Sequence, residues 1–208
     1  MSEKSNICII DYGMGNLRSV QRKVERVGAS AVVSNRPEEI AGATKLILPG
    51  VGHFANGIRK LKQYGIWDIL NMKVLEMKTP VLGICLGMQL MAEKSEEGNV
   101  QGLGWFEADV VRFSVEDKIR YKVPHIGWNT IVRKKTSVLL DHLTETAMFY
   151  FVHSYHIICR DTADILTTTE YGYPFTSAIQ KENIYGTQFH PEKSHDFGET
   201  LLSNFIGL

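Results

Sequence analysis

The chain has 208 residues, enough for one sizeable core, and 44% of them are apolar, as in an ordinary globular protein. Its 23 basic and 23 acidic side chains balance, so overall charge recruits neither nucleic acid nor an anionic membrane. The cysteines, Cys8, Cys85 and Cys159, are sparse and show no CxxC spacing, which argues against a disulfide framework or a structural zinc site.

The opening MSEKSNICIID lacks the charged-then-apolar pattern of a signal peptide, and no apolar run is long enough to span a bilayer. The expected setting is the cytoplasm. Asn6 to Asp11 reads as a buried strand, followed by the glycine-rich turn YGMGN. Leu17, Val20, Val24 and Val27 then recur at helical spacing, with Gly28 as a stop. SAVVS is a short strand, Pro37 opens a brief helix, and KLILPG is a third strand running into glycines. Helices are expected near 54–64 and 66–77, then a fourth strand, PVLGI, ending at Cys85 and followed by a helix. Strands alternating with helices predict a parallel sheet with helices on both faces.

After Gly98 the rhythm changes. Strand-like segments lie near 105–113, 119–123, 128–132, 147–152, 155–160, 164–170, 175–180 and 184–189, and a helix closes the chain over 196–206. The expected fold is α/β: an open, mixed and mainly parallel sheet flanked by helices, with antiparallel strands added in the second half. With no repeat or linker visible, residues 1–208 read as a single domain.

The stretch VLGICLGMQLM raises a chemical question. G-I-C-L-G has the spacing of a nucleophile elbow, in which the central residue sits on a sharp strand-to-helix turn and glycines avoid collisions. Such a turn aims Cys85 at the carboxyl end of the sheet, and a helix N-terminus behind it favours the thiolate. The competing reading is a packed core thiol, and the elbow alone does not decide. A cysteine nucleophile needs a base and a group to orient it. His190 stands out among seven histidines, because it follows a strand-like run and precedes Pro191 and Glu192. Glu192 can fold back onto the imidazole and leave the other ring nitrogen for the thiol. A lone His-Pro-Glu is usually a surface turn; two such signals at strand ends are hard to ascribe to chance. The LPGVGHF loop offers flexible backbone beside the elbow, so Gly50 and Val51, with the N–H of Leu86, are candidate oxyanion donors.

PGVG, GICLGMQ and FHPEKS, in that order, resemble the class I (triad-type) glutamine amidotransferases. Within them, IIDYGMGNLRSV, LPGVGHF, PHIGWN and FVHSYH are most similar to the glutaminase subunits of imidazole glycerol phosphate synthases. The resemblance covers nearly the whole chain, with one departure: Ile126 stands where methionine is the commoner residue. It implies hydrolysis of L-glutamine to glutamate and ammonia, with Cys85 as nucleophile, His190 as acid and base, and Glu192 holding the imidazole. It places Gly52, Gln89, Ser154 and Tyr155 against the substrate and calls for no metal or other cofactor. It also implies a partner, a separate (β/α)8 barrel synthase subunit that receives the ammonia, faced by Asn16, Trp128 and Lys193. The plain alternatives for those three are a helix N-cap, a core aromatic and a solvated lysine. A related glutaminase subunit amidating a surface-sugar precursor, and a stand-alone cysteine hydrolase, are the competing functions; the intact Cys85, His190 and Glu192 argue against a non-catalytic interaction subunit.

Overall fold

The computed structural model describes residues 6–208. Short, fully buried apolar runs form its centre. β1 (Ile7–Ile10), β3 (Lys45–Gly50) and β4 (Val81–Cys85) lie side by side, with β2 (Ala31–Ser34) at the outer edge of β1. All these pairings are parallel. Because successive strand residues face opposite sides, Cys8 and Ile10 enter one core while Ile7 and Ile9 enter the other.

The second core is closed by α1 (Leu17–Arg26), whose buried Val20 and Val24 form its inner stripe, and by the C-terminal α6 (His195–Gly207). The first is closed by α3 (Phe54–Gln63) and α4 (Ile66–Asn71), the latter continuing into a π-helical turn over Met72–Glu76. The brief α2 (Pro37–Ala41) begins on its proline, as expected. No helix among the described residues is long and apolar enough to cross a membrane.

The second half extends the same sheet. It contributes β5 (Ala92–Ser95), β6 (Val100–Gln101), β7 (Phe106–Arg112), β8 (His125–Thr130), β9 (Val132–Arg133), β10 (Met148–His153), β11 (Tyr155–Cys159), β12 (Ile165–Glu170), β13 (Pro174–Lys181) and β14 (Ile184–Thr187). β14 joins β4 in parallel; antiparallel β13 and β11 and then β7 continue outward. β8 and β10 form a separate antiparallel ribbon. The mixed, mainly parallel α/β expectation therefore holds.

Two expectations fail locally. The 119–123 segment is a turn, because the Asp117 carboxylate accepts the backbone N–H groups of Ile119 and Arg120 at 3.0 Å each. The helix after Cys85, α5, spans only Leu86–Gln89. The apolar run beyond it turns back into β5, with the Leu90 and Met91 carbonyls accepting N–H groups from Leu103 and Trp105.

Candidate active site

Three parallel strands end together, and their carboxyl ends carry the candidate residues. Gly50 at the end of β3 is paired in register with Cys85 at the end of β4. On the other side, Thr187 of β14 is opposite Ile84, so the chain leaving β14 delivers Gln188, Phe189 and His190 beside the cysteine. Open α/β sheets bind ligands at this position.

Cys85 occupies the elbow conformation, with φ 54° and ψ −110°. Side chains rarely adopt that region, and holding one there costs about 1–3 kcal/mol. The flanking glycines are sterically required: a Cβ on Gly87 would lie 1.7 Å from the Leu48 carbonyl oxygen, and one on Gly83 would lie 2.7 Å from the Met88 nitrogen. The helix-dipole argument is weaker than the sequence suggests, since α5 has only four residues to align.

His190 lies in a short turn stitched on several sides. Its N–H donates to the Tyr150 carbonyl at 2.9 Å, and its own carbonyl accepts the Ser194 hydroxyl at 2.6 Å. Ser194 Oγ in turn accepts the Tyr150 N–H. Pro191–Lys193 form a single 3₁₀ turn that brings the Glu192 carboxylate back onto the ring, with His190 Nδ1 at 2.7 Å from Glu192 Oε1. Both side chains are buried. Burial alone would lower the imidazole pKa, but the Cys85 sulfur, followed by Glu192, overrides it and pushes His190 up to about 10. The ring is therefore an imidazolium at neutral pH, with Nδ1–H donated to Glu192. Its Nε2 is buried without an aligned hydrogen-bond partner, and Cys85 is its neighbour.

A cavity of about 450 Å³ opens over the sulfur. Cys85, Leu86 and Gln89 line it together with Val51 and Gly52 from the β3 end and with Ser154, Tyr155 and Lys193. The structure thus gathers eight of the residues named from sequence around one space. Gly50 sits behind it, against Cys85. Gln89 Nε2 donates to the Tyr155 carbonyl at 3.0 Å and to Gln188 Oε1 at 2.9 Å. Its remaining Oε1 is an acceptor, suited to an ammonium group. The Tyr155 carbonyl is also engaged by His153 Nδ1 at 2.8 Å, so that carbonyl is occupied by the protein itself.

Four lining residues escaped the sequence reading: Glu97, Pro124, Val152 and His153. Glu97 lies in the turn after β5 and accepts the Phe54 N–H at the start of α3 at 2.7 Å. Nothing in its local sequence marks it, because the contact joins distant segments.

The three residues expected to meet a partner are all exposed. Asn16 also caps α1, accepting the Ser19 N–H at 3.3 Å. Trp128 on β8 is not a core aromatic: it is 42% exposed and stacks on His195 at 5.0 Å. Lys193 and Trp128 both approach the Tyr150 ring, at 5.5 and 6.0 Å, so the rim of the cavity and the Trp128 surface are continuous.

Comparison with known proteins gives the family. The family described as glutamine amidotransferase class-I matches residues 8–207. Imidazole glycerol phosphate synthase subunit HisH 2 of Methanococcus maripaludis is 54% identical over 96% of this chain and 98% of its own length. The HisH 2 subunit of Pseudomonas aeruginosa is 46% identical, over 97% and 99%. Among solved structures, PurLQS from Thermotoga maritima superposes with a TM-score of 0.72 at 14% identity, covering 98% of each chain. A structure described as glutamine amidotransferase gives 0.70 at 20% identity, covering 97% and 99%. At such identities the structures bear on the fold alone, while the full-length relatives bear on the sequence. By the match over residues 8–207 and by these full-length relatives, the chain belongs to the class-I glutamine amidotransferase family.

Proposed function

We propose that this chain is the glutaminase subunit of an imidazole glycerol phosphate synthase and acts as one amidotransferase domain. The observation that carries the reading is the buried His190–Glu192 pair set against Cys85 under a cavity lined by Gln89, Ser154 and Tyr155. The full-length relatives named as HisH subunits support the choice of substrate and pathway.

In this mechanism the Cys85 thiolate attacks the side-chain carboxamide carbon of L-glutamine. The developing oxyanion is taken by the backbone N–H groups of Leu86 and Val51, two residues that line the same cavity. The His190 imidazolium gives its Nε2 proton to the departing nitrogen, and ammonia leaves a glutamyl thioester on Cys85. Neutral His190 then takes a proton from water; the hydroxide attacks the thioester, and glutamate and the thiolate–imidazolium pair are restored. Glu192 holds the ring throughout.

Free ammonia in neutral water is mostly protonated and no longer a nucleophile. A partner that receives it without exposure is therefore part of the reading: a (β/α)8 barrel synthase subunit seated over Trp128, Lys193 and Asn16. The test uses the full chain with and without its partner subunit. Glutamate release is expected to be weak alone and to rise strongly with the partner and its nucleotide ligand. Cys85→Ala is expected to lower it by about 10⁴-fold or more, while ammonium salts still support the partner's reaction. Partner-stimulated glutaminase activity in Cys85→Ala would overturn the mechanism.

A further inference from the structure

Gln188 follows the last paired residue of β14, as Cys85 follows Ile84 of β4, and parallel register sets the two side by side. Gln188 is fully buried, and its Nε2 lies 3.6 Å from Cys85 Sγ. The direction of this contact is set by a chain of three bonds. The backbone carbonyl of Tyr155 can only accept, so Gln89 must turn its NH₂ group toward it. The second hydrogen of that group goes to Gln188, which must then present Oε1. Gln188 is left with its NH₂ facing the sulfur. Reversing the Gln188 amide would set donor against donor at Gln89 and a carbonyl oxygen against the sulfur, in a buried site where unmatched polar groups are costly.

We propose that Gln188 is a positioning residue for the nucleophile: a backbone carbonyl in the substrate wall, relayed through the Gln89 and Gln188 amides, aims an N–H donor at the Cys85 thiolate. The relay complements the charge of His190 beside the sulfur; Tyr12 is a further titratable neighbour, and Glu97, His153, Tyr155 and Lys193 line the same cavity. It also ties the Tyr155 segment to the sulfur, so a substrate that pulls on that segment reaches the nucleophile through two side chains. The inference deepens the glutaminase reading and rests on it for the rate effects below, but not for the chemistry of the thiol.

The experiment follows alkylation of Cys85 by iodoacetamide against pH in the full chain, read by mass spectrometry on the peptide that contains Cys85. Cys8 and Cys159 do not compete near neutrality, since burial pushes their thiols up to about 11 and about 12. In Gln188→Met, which keeps the length and removes the N–H, the pH of half-maximal alkylation is expected to rise by about one unit, with kcat about ten-fold lower near neutrality and KM within about two-fold. Gln188→Glu is expected to shift it further, because it sets a carboxylate against the sulfur. A purely structural residue would lower the melting temperature and leave that midpoint in place. A folded Gln188→Met whose midpoint stays within about 0.3 unit of the parent overturns the proposal. Should Gln188→Met not fold, Gln89→Met removes the group that fixes the Gln188 amide; a smaller upward shift is expected, and none would overturn the proposal equally. A shifted midpoint in a chain that never hydrolyses glutamine would sink the glutaminase reading and leave the relay standing. An active glutaminase with an unmoved midpoint would do the reverse.

Discussion

At the scale of single residues, the site depends on opposing effects at one imidazole. Burial disfavours the charged ring, and the Cys85 sulfur and Glu192 favour it more strongly, so His190 holds its proton up to about pH 10. A mechanism that uses this proton for the leaving ammonia keeps its alkaline limb near that value. Glu192→Gln keeps the shape and removes the charge on Nδ1. It is expected to bring the alkaline limb of the kcat–pH profile down by at least about one unit and to lower kcat at neutrality by about 10²-fold; an unmoved limb would mean that Glu192 does not hold the charge. The sign for stability follows from linkage. The folded pKa exceeds the usual 6.5, so the group's contribution is complete below pH 6.5 and is lost as pH rises toward 10. Thermal melts of Glu192→Gln should therefore fall less across that window than those of the parent. Cys85, His190 and Glu192 were legible because each signal is local: an elbow spacing and a three-residue turn. Gln188 was not, because its partners Cys85 and Gln89 lie far away in sequence, and His153 was not, because it meets His125 only across the β8–β10 register.

At the scale of elements, the first four strands were readable because each is a short buried run closed by turn residues. The apolar run after Cys85 misled because tertiary pairing overrode its helical pattern, drawing Ala92–Ser95 beside β7. A four-residue α5 shifts the burden of holding the site onto packed seams. One such seam joins α6 to the His190 turn. Gly198 lies within α6, where a Cβ would be 1.9 Å from the Pro191 carbonyl oxygen. That oxygen belongs to the peptide linking Pro191 to Glu192 and also accepts the Ser194 N–H. Gly198→Ala must therefore push the turn away from the helix. The expected cost is about 1–3 kcal/mol of stability, read by thermal or denaturant melting. A several-fold loss of kcat should accompany it, because Glu192 moves with the turn. A variant that loses stability but keeps full kcat would show that helix and turn shift together as one body.

At the scale of the whole molecule, the β8–β10 ribbon is fastened to the main sheet through an aromatic and histidine cluster. His125 of β8 stacks between Phe151 at 4.9 Å and Tyr171 at 3.9 Å, and its Nδ1 lies 3.2 Å from His153 Nε2. His153 Nδ1–H is committed to the Tyr155 carbonyl, so His153 Nε2 accepts and His125 Nδ1 donates. His156 meets the Tyr173 hydroxyl at 3.0 Å. Burial lowers all three histidines, His125 to about 4, and leaves them neutral at physiological pH. Their folded pKa values lie below the usual 6.5, so the unfolded chain takes up protons first as the pH falls. Stability is therefore intact above pH 6.5 and declines from there toward pH 4. The cluster borders the cavity through His153, so glutaminase activity is expected to fail in the same window. Carboxylates titrate there too, and a paired comparison removes them. His125→Phe keeps the stacking and cannot be protonated, but it leaves His153 Nε2 without its donor. At pH 7.5 this variant is expected to be less stable than the parent by about 1 kcal/mol. Its melting temperature should fall less between pH 6.5 and 4, so that the two curves converge. Parallel curves would show that protonation of the cluster does not loosen the ribbon, and acid sensitivity would then be traced to the carboxylates.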